Sequence, residues 1–189
     1  MSPMKDALIF LVSTVFDLYI FLLVIRVLLA YAGANYYDPM TQFVVRCTDI
    51  IVKPLRRLIP NVRGIEMSAI LIIIALELIK YLLLIAISNG NMVLYGLLIV
   101  ALADTLKLFL QTMFYAIILQ AILSWVQPGS PMAPLLYKIT SPVIRPIQRL
   151  VPAVGGMDIS PIPAMILLQL MIIIIVQPLM LVGLGAMGG

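Results

Sequence analysis

The chain has 189 residues, of which 63% are hydrophobic and 11% charged, with a mean hydropathy of +1.18. Soluble domains lie nearer half apolar and a quarter charged, so this composition excludes an ordinary soluble domain and assigns the chain to the membrane class. A formal charge of +4, no histidine and a single cysteine, Cys47, exclude a disulfide framework, a histidine base and haem ligation through histidine.

The first apolar stretch, about Ala7 to Tyr31, is long enough to cross about 30 Å of hydrocarbon as a helix. Lys5, this run and Ala30-Tyr31-Ala32 imitate a secretory signal. The run is longer than a signal core, however, and carries Asp17 and Arg26, so it reads as a retained span. A basic connector follows. Phe43, Cys47, Ile50, Ile51, Leu55 and Leu58 fall on one side of a 3.6-residue period, and Gln42, Arg46, Asp49, Lys53, Arg56 and Arg57 on the other. That pattern predicts an amphipathic interfacial helix, which Pro54 is expected to split in two. Ser68 to about Ile87 is the second span, with Ser68 as the expected N-cap. Met92 to Ala103 is apolar but short, and reads as an outer extension of the third span or as an interfacial turn. The third span runs from about Leu102 to Trp125. The second connector places Leu135, Leu136, Ile139, Val143, Ile144, Ile147 and Leu150 on its apolar side, with breaks expected at Pro142 and Pro146. Pro152, Gly155 and Gly156 then turn the chain into a fourth span, about Ser160 to Leu184, with Ser160 as N-cap and Pro161 in the first turn. With no water in the bilayer core, helices are the economical way to pair the backbone.

The segment Lys53-Pro54-Leu55-Arg56-Arg57-Leu58-Ile59-Pro60 returns as Arg145-Pro146-Ile147-Gln148-Arg149-Leu150-Val151-Pro152. The register extends downstream, where Val62, Gly64, Glu66 and Ser68 align with Val154, Gly156, Asp158 and Ser160. It also extends upstream to Thr48 with Thr140 and Pro39 with Pro131. Apolar drift does not produce prolines, a glycine, a base and an acid at fixed spacing. The expected fold is therefore a single all-α transmembrane domain, residues 1–189. It comprises about four helices in two parallel two-helix repeats, about 7–88 and 99–184, each with an amphipathic interfacial segment.

Two spans separate the connectors, so both lie on one side. They carry Arg46, Lys53, Arg56, Arg57 and Arg63 in the first, and Lys138, Arg145 and Arg149 in the second. The positive-inside rule then places both connectors in the cytoplasm and both termini outside. Arg56, Arg57, Arg145 and Arg149 are the candidate contacts for anionic lipid head groups or a partner, each cation being worth about 1 kcal/mol near such a surface. The topology rule alone also demands cations here.

Charged groups deep in a bilayer cost roughly 2.5–3.5 kcal/mol on insertion scales and mark candidate sites. With a two-residue gap, Asp17 aligns with Gln111 and Arg26 with Gln120; without a gap, Glu77 aligns with Gln169. Asp17, Glu77, Lys80, Gln111 and Gln169 thus form a candidate polar layer, charged in one half and neutral in the other. Glu77 with Lys80 and Asp104 with Lys107 share helix faces three residues apart. Asp17 and Lys80 lie about 21 and 18 Å up their helices, close enough in height to meet. Arg26, near its helix end, is expected to snorkel to the surface.

The doubled signature, Pro-Leu-Arg-Arg-Leu-Ile-Pro with Gly64-Ile65-Glu66 in the first copy and Gly155-Gly156-Met157-Asp158-Ile159-Ser160-Pro161 in the second, resembles the YggT family. These are small bacterial inner-membrane proteins with YlmG-like relatives in Gram-positive bacteria and plastids. The resemblance covers nearly the whole chain; Glu66 stands where aspartate is usual, and Gln148 replaces one arginine. It implies a multi-pass protein of the bacterial inner membrane. It also implies associations with osmotic stress tolerance, cell-division gene neighbourhoods and, in plastids, cytochrome maturation, rather than a defined reaction.

No nucleophile–base pair, metal-ligand spacing or phosphate-cradling glycine loop is present, so no enzyme activity and no cofactor are expected. The basic residues are few and embedded among apolar ones, which argues against nucleic acid. The expected function is a non-enzymatic scaffold or assembly factor in the membrane, as a homo-oligomer or with another membrane protein. The second expectation is an oligomeric ion transporter or channel subunit using Asp17 and Glu77.

Overall fold

Long apolar runs, in a chain whose backbone must satisfy itself, give helices. The computed structural model describes residues 3–188 except 36, 38, 58, 60, 62–63, 89–92, 128 and 152–157, and of Met40 and Met187 it describes the backbone only. The expected turn at Pro152, Gly155 and Gly156, as well as Leu58, Pro60, Val62, Arg63, Met92 and Val154, lies outside the described residues. In chain order the helices are α1 (Pro3–Tyr31), α2 (Pro39–Arg56), α3 (Met67–Ser88), α4 (Leu94–Val126) and α5 (Ala133–Gln148). They are followed by α6 (Pro161–Met171), a π turn (Ile172–Val176) and α7 (Gln177–Gly188). Among the described residues four stretches are long and apolar enough to cross a membrane: α1, α3, α4 and the continuous run Pro161–Ala186.

The segment from Leu94 to Ala103 is the first part of α4, so it extends the third span rather than forming another element. At 33 residues α4 is about 50 Å long and overruns the hydrocarbon. Gly33, at φ +61°, closes α1: Ala34 donates to Leu29 O at 3.0 Å and Gly33 to Ala30 O at 3.1 Å, a left-handed stop that favours glycine.

The connector prolines do not split their helices. Pro54 lies inside α2, and Pro142 and Pro146 inside α5. Pro54 stands within the last turn of α2, where few helical bonds remain to be lost. At Pro142 the Ser141 hydroxyl donates to Lys138 O at 2.8 Å, satisfying the carbonyl that the missing proline N–H leaves free. Pro178 has a different consequence. Its ring is incompatible with a regular turn behind it, and a π turn precedes it, with the Gln177 N–H bonded to Ile172 O. Neither serine caps as expected. Ser68 lies inside α3, and Ser160 flanks α6 without a side-chain cap bond; both hydroxyls are buried without a hydrogen-bond partner. The first turn of α3 closes on the Glu66 carbonyl instead, from Ala69 and Ile70.

Two cores result. Ile20, Leu23, Val24 and Val27 of α1 pack with Val44 and Val52 of α2 and with Ala69, Ile72 and Ile73 of α3. Ala103, Leu110 and Ile117 of α4 pack with Ile144 of α5 and with Ala164, Leu168, Ile172 and Val176 of the last span. On α2, Thr41, Val44, Thr48 and Val52 face the bundle, while Phe43 and Ile50 point outward. A second apolar face therefore leaves the bundle uncovered. α2 and α5 lie at the same end of the bundle, since Thr48 meets Arg26 near the end of α1 and α5 borders Leu28 and Leu29.

Candidate functional site

Hydrophobic burial drives no association between helices inside lipid, so polar contacts and close packing decide which faces meet. Two polar clusters do this. The first lies deep in the spans. Lys80 of α3 is buried, and its Nζ lies 2.8 Å from Asp17 Oδ1 of α1, 2.7 Å from Asp104 Oδ2 of α4 and 2.6 Å from Glu77 Oε2 one turn earlier. The bonds to Asp17 and Asp104 are hydrogen bonds; that to Glu77 is a close ion-pair contact rather than an aligned one. The Tyr81 hydroxyl donates to Asp104 Oδ2 at 2.9 Å, and Lys107 stands 3.8 Å from Asp104 Oδ1. One ammonium thus ties α1, α3 and α4 together, which links the two halves of the chain.

Ligand oxygens of Asp17, Glu77 and Asp104 lie within 4.8 Å of one another, a spacing that could hold a metal ion. The Lys80 ammonium already touches all three carboxylates and supplies the positive charge there. The set is a lysine socket that joins three helices, and the ammonium lowers the cost of burying the carboxylates around it.

The spacing argument brings Asp17, Glu77 and Lys80 together, and the expected contact between Asp17 and Lys80 exists. Gln111 and Gln169 are not part of it. Gln111 is half-buried on α4 and Gln169 is exposed on α6. The neutral half of the expected layer is instead replaced by Asp104 and Tyr81. The i,i+3 pairing of Asp104 with Lys107 pointed to Asp104; nothing in the pattern pointed to Tyr81.

The second cluster was not expected, and Arg26 corrects the snorkelling assignment. It is 3% exposed and points inward. Its Nε donates to Glu66 Oε2 at 2.7 Å and Nη2 to Glu66 Oε1 at 3.0 Å, a two-pronged match of guanidinium to carboxylate. Nη1 donates to Thr48 Oγ1 at 2.8 Å and Asp49 Oδ1 at 2.7 Å. Arg56 approaches Glu66 Oε1 at 3.7 Å. Arg26 therefore fastens α2 and the start of α3 to α1. An acid at one fixed place in both copies of the motif was the available signal, since such a residue beside a buried span end needs a cation.

At the positions that the sequence alignment pairs with Thr48 and Arg26, the Thr140 hydroxyl donates to Gln120 Oε1. Gln148 Nε2 donates to Asp158 Oδ2 at 2.8 Å, and the Ser160 N–H to Asp158 Oδ1 at 2.9 Å. Burial works against the charged form of Asp158, yet these bonds from Ser160 and Gln148 outweigh it and hold its carboxyl below the usual aspartate range.

The four arginines singled out for outside contact are all exposed. Arg56 lies beside Glu66, and the Arg145 guanidinium is 5.8 Å from the centre of the Tyr137 ring.

Four helices of spanning length, ion pairs joining them and two short basic helices at one end define a multi-pass helical membrane protein. The CCB3/YggT family model matches residues 5–87 and 99–179, and the chain belongs to that family. It is 38% identical over 166 residues to the uncharacterized protein YggT of Escherichia coli strain K12, with 86% of each chain covered. An uncharacterized protein of Pseudomonas aeruginosa is 34% identical over 184 residues, covering 95% of this chain and 93% of its own. One from the proC 3' region of Vibrio alginolyticus is 37% identical over 163 residues, covering 85% and 88%. No solved structure matches the chain.

Proposed function

We propose that the chain is a non-enzymatic scaffold or assembly factor of the bacterial inner membrane, built from two parallel repeats, about 7–88 and 99–184. In this reading the basic connectors face the cytoplasm, both termini lie outside, and α2 and α5 are amphipathic helices at the interface. Their exposed cations meet anionic head groups or a partner, either a second copy or another membrane protein, in a role tied to envelope or osmotic stress. The observation that carries it is the lysine socket. The intramembrane carboxylates are engaged in joining helices through Lys80, while Arg57, Arg145 and Arg149 are exposed on the connectors. An ion pathway would need a carboxylate that releases its partner; here each carboxylate contacts the same ammonium, and the transport reading loses ground.

The repeat assignment is supported by the order long helix, short helix, long helix occurring twice, and by the family match falling on two segments. The cytoplasmic side follows from the excess of lysine and arginine in the connectors. Purified protein is floated with vesicles containing or lacking phosphatidylglycerol. Replacing Arg57 and Arg149 with alanine should weaken binding to the anionic vesicles severalfold and leave the melting temperature in detergent unchanged. Equal flotation of both proteins would remove the reading.

A further inference from the structure

The two halves meet through Lys80 and through α3 against α4, and they leave a gap elsewhere. A groove of about 260 Å³ lies between Phe21 and Ile25 of α1, Ala116 and Leu119 of α4, and Leu136 and Ile139 of α5. We propose that this groove seats one acyl chain of an anionic phospholipid, with the head group at the basic outer face of α5. The inference rests on the reading of α5 as an interfacial helix and names the ligand it would serve.

Three observations point to a hydrocarbon chain. The wall is apolar apart from the Thr112 and Tyr115 hydroxyls, and that of Thr112 is engaged with Leu108 O at 2.7 Å. On α1 the groove runs from Phe21 to Leu29, about 12 Å, most of one leaflet of hydrocarbon. It also opens between helices of spanning length, where the surrounding medium is lipid and an unfilled gap would forfeit dispersion contacts.

The charge of α5 selects the head group. Ala133–Gln148 contains Lys138 and Arg145, both exposed, and no acid. Lys138 is the residue before Ile139 and lies three residues beyond Leu135, another wall residue. The helix that closes the groove thus carries one cation, Lys138, next to its wall residues and a second, Arg145, further along. α2 differs, because its Asp49 carboxylate faces Arg26.

Full-length protein in detergent is titrated with phosphatidylglycerol and, separately, with phosphatidylcholine of the same chains, and adducts are counted by native mass spectrometry. The expected result is one saturable phosphatidylglycerol per chain, held about tenfold more tightly than phosphatidylcholine. Ala116→Phe, which fills the groove, should weaken both lipids about tenfold. If that variant melts early, Leu119→Trp at the more exposed wall takes its place. Lys138→Ala with Arg145→Ala should erase the preference while phosphatidylcholine still binds. Unchanged adducts in both groove variants would overturn the site, whatever Arg57 and Arg149 do in vesicle flotation. A groove-dependent adduct without head-group preference would overturn the anionic assignment.

Discussion

Arg26 and Gln120 occupy positions that the proposed repeat aligns, and they fasten their connectors by different means. In the first half a buried guanidinium spans Glu66, Thr48 and Asp49, so three elements share one charge network. In the second half Gln120 reaches only Thr140, and the acid of the motif, Asp158, is held by Gln148 of its own connector. The second half compensates by proximity. Gly183 of α7 approaches α4 so closely that an added Cβ would stand 2.5 Å from Val100 Cγ2 and 3.0 Å from Gly96 O. The first half is thus held by a buried ion pair, and the second by side-chain hydrogen bonds, among them those to the Asp158 carboxylate, and by small-residue packing, both workable answers to the absence of a hydrophobic force in lipid.

The contrast predicts unequal costs. Glu66→Ala removes the two-pronged partner of the buried Arg26, leaves it only the partly exposed Asp49 carboxylate, and should lose about 3 kcal/mol. Asp158→Ala breaks hydrogen bonds without stranding a charge and should lose about 1–2 kcal/mol. Unfolding of both variants in mixed micelles compares them, and equal losses would end the distinction. Gly183→Leu should cost about 1–3 kcal/mol by forcing α7 away from α4; an unchanged melting temperature would show that the helices are not locked there. A double-mutant cycle on Gln148 and Asp158 should give a coupling near 0.6 kcal/mol, typical of polar pairs in helical membrane proteins. A value above that for Arg26 with Glu66 would reverse the order.

The smallest effect is in pH. Because the Asp158 carboxyl is held below its ordinary value of 3.8, its contribution is present above that value and lost as pH falls through the lower folded value. Asp158→Asn should flatten this acid limb of the stability profile, and a limb identical in both proteins would assign the loss elsewhere.

Much of the frame was legible beforehand. Hydropathy located the four spans to within a few residues, apart from the early start of α4 at Leu94, which a run of apolar residues left open. The height of Asp17 and Lys80 along their helices anticipated their contact. Proline was overread: a rule about helix interiors was applied to Pro54 in a last turn and to Pro142, where a neighbouring serine satisfies the freed carbonyl. Arg26 was misread because snorkelling depends on which way a helix is rotated, and an apolar run nearly uniform around its axis does not encode that rotation.

Length and apolarity by themselves determined the spanning helices and their number, because a bilayer imposes a fixed thickness and offers the backbone no water to bond; the lysines and arginines between them made the connectors basic. Only the tertiary structure decided that Asp104 rather than Gln169 completes the cluster around Lys80, that Glu66 is the partner of Arg26, and that a groove remains between the halves. Those outcomes depend on how helices turn and approach one another sideways. In lipid that choice is set by a few polar contacts and close-packed small residues far apart in the chain, which no local periodicity records.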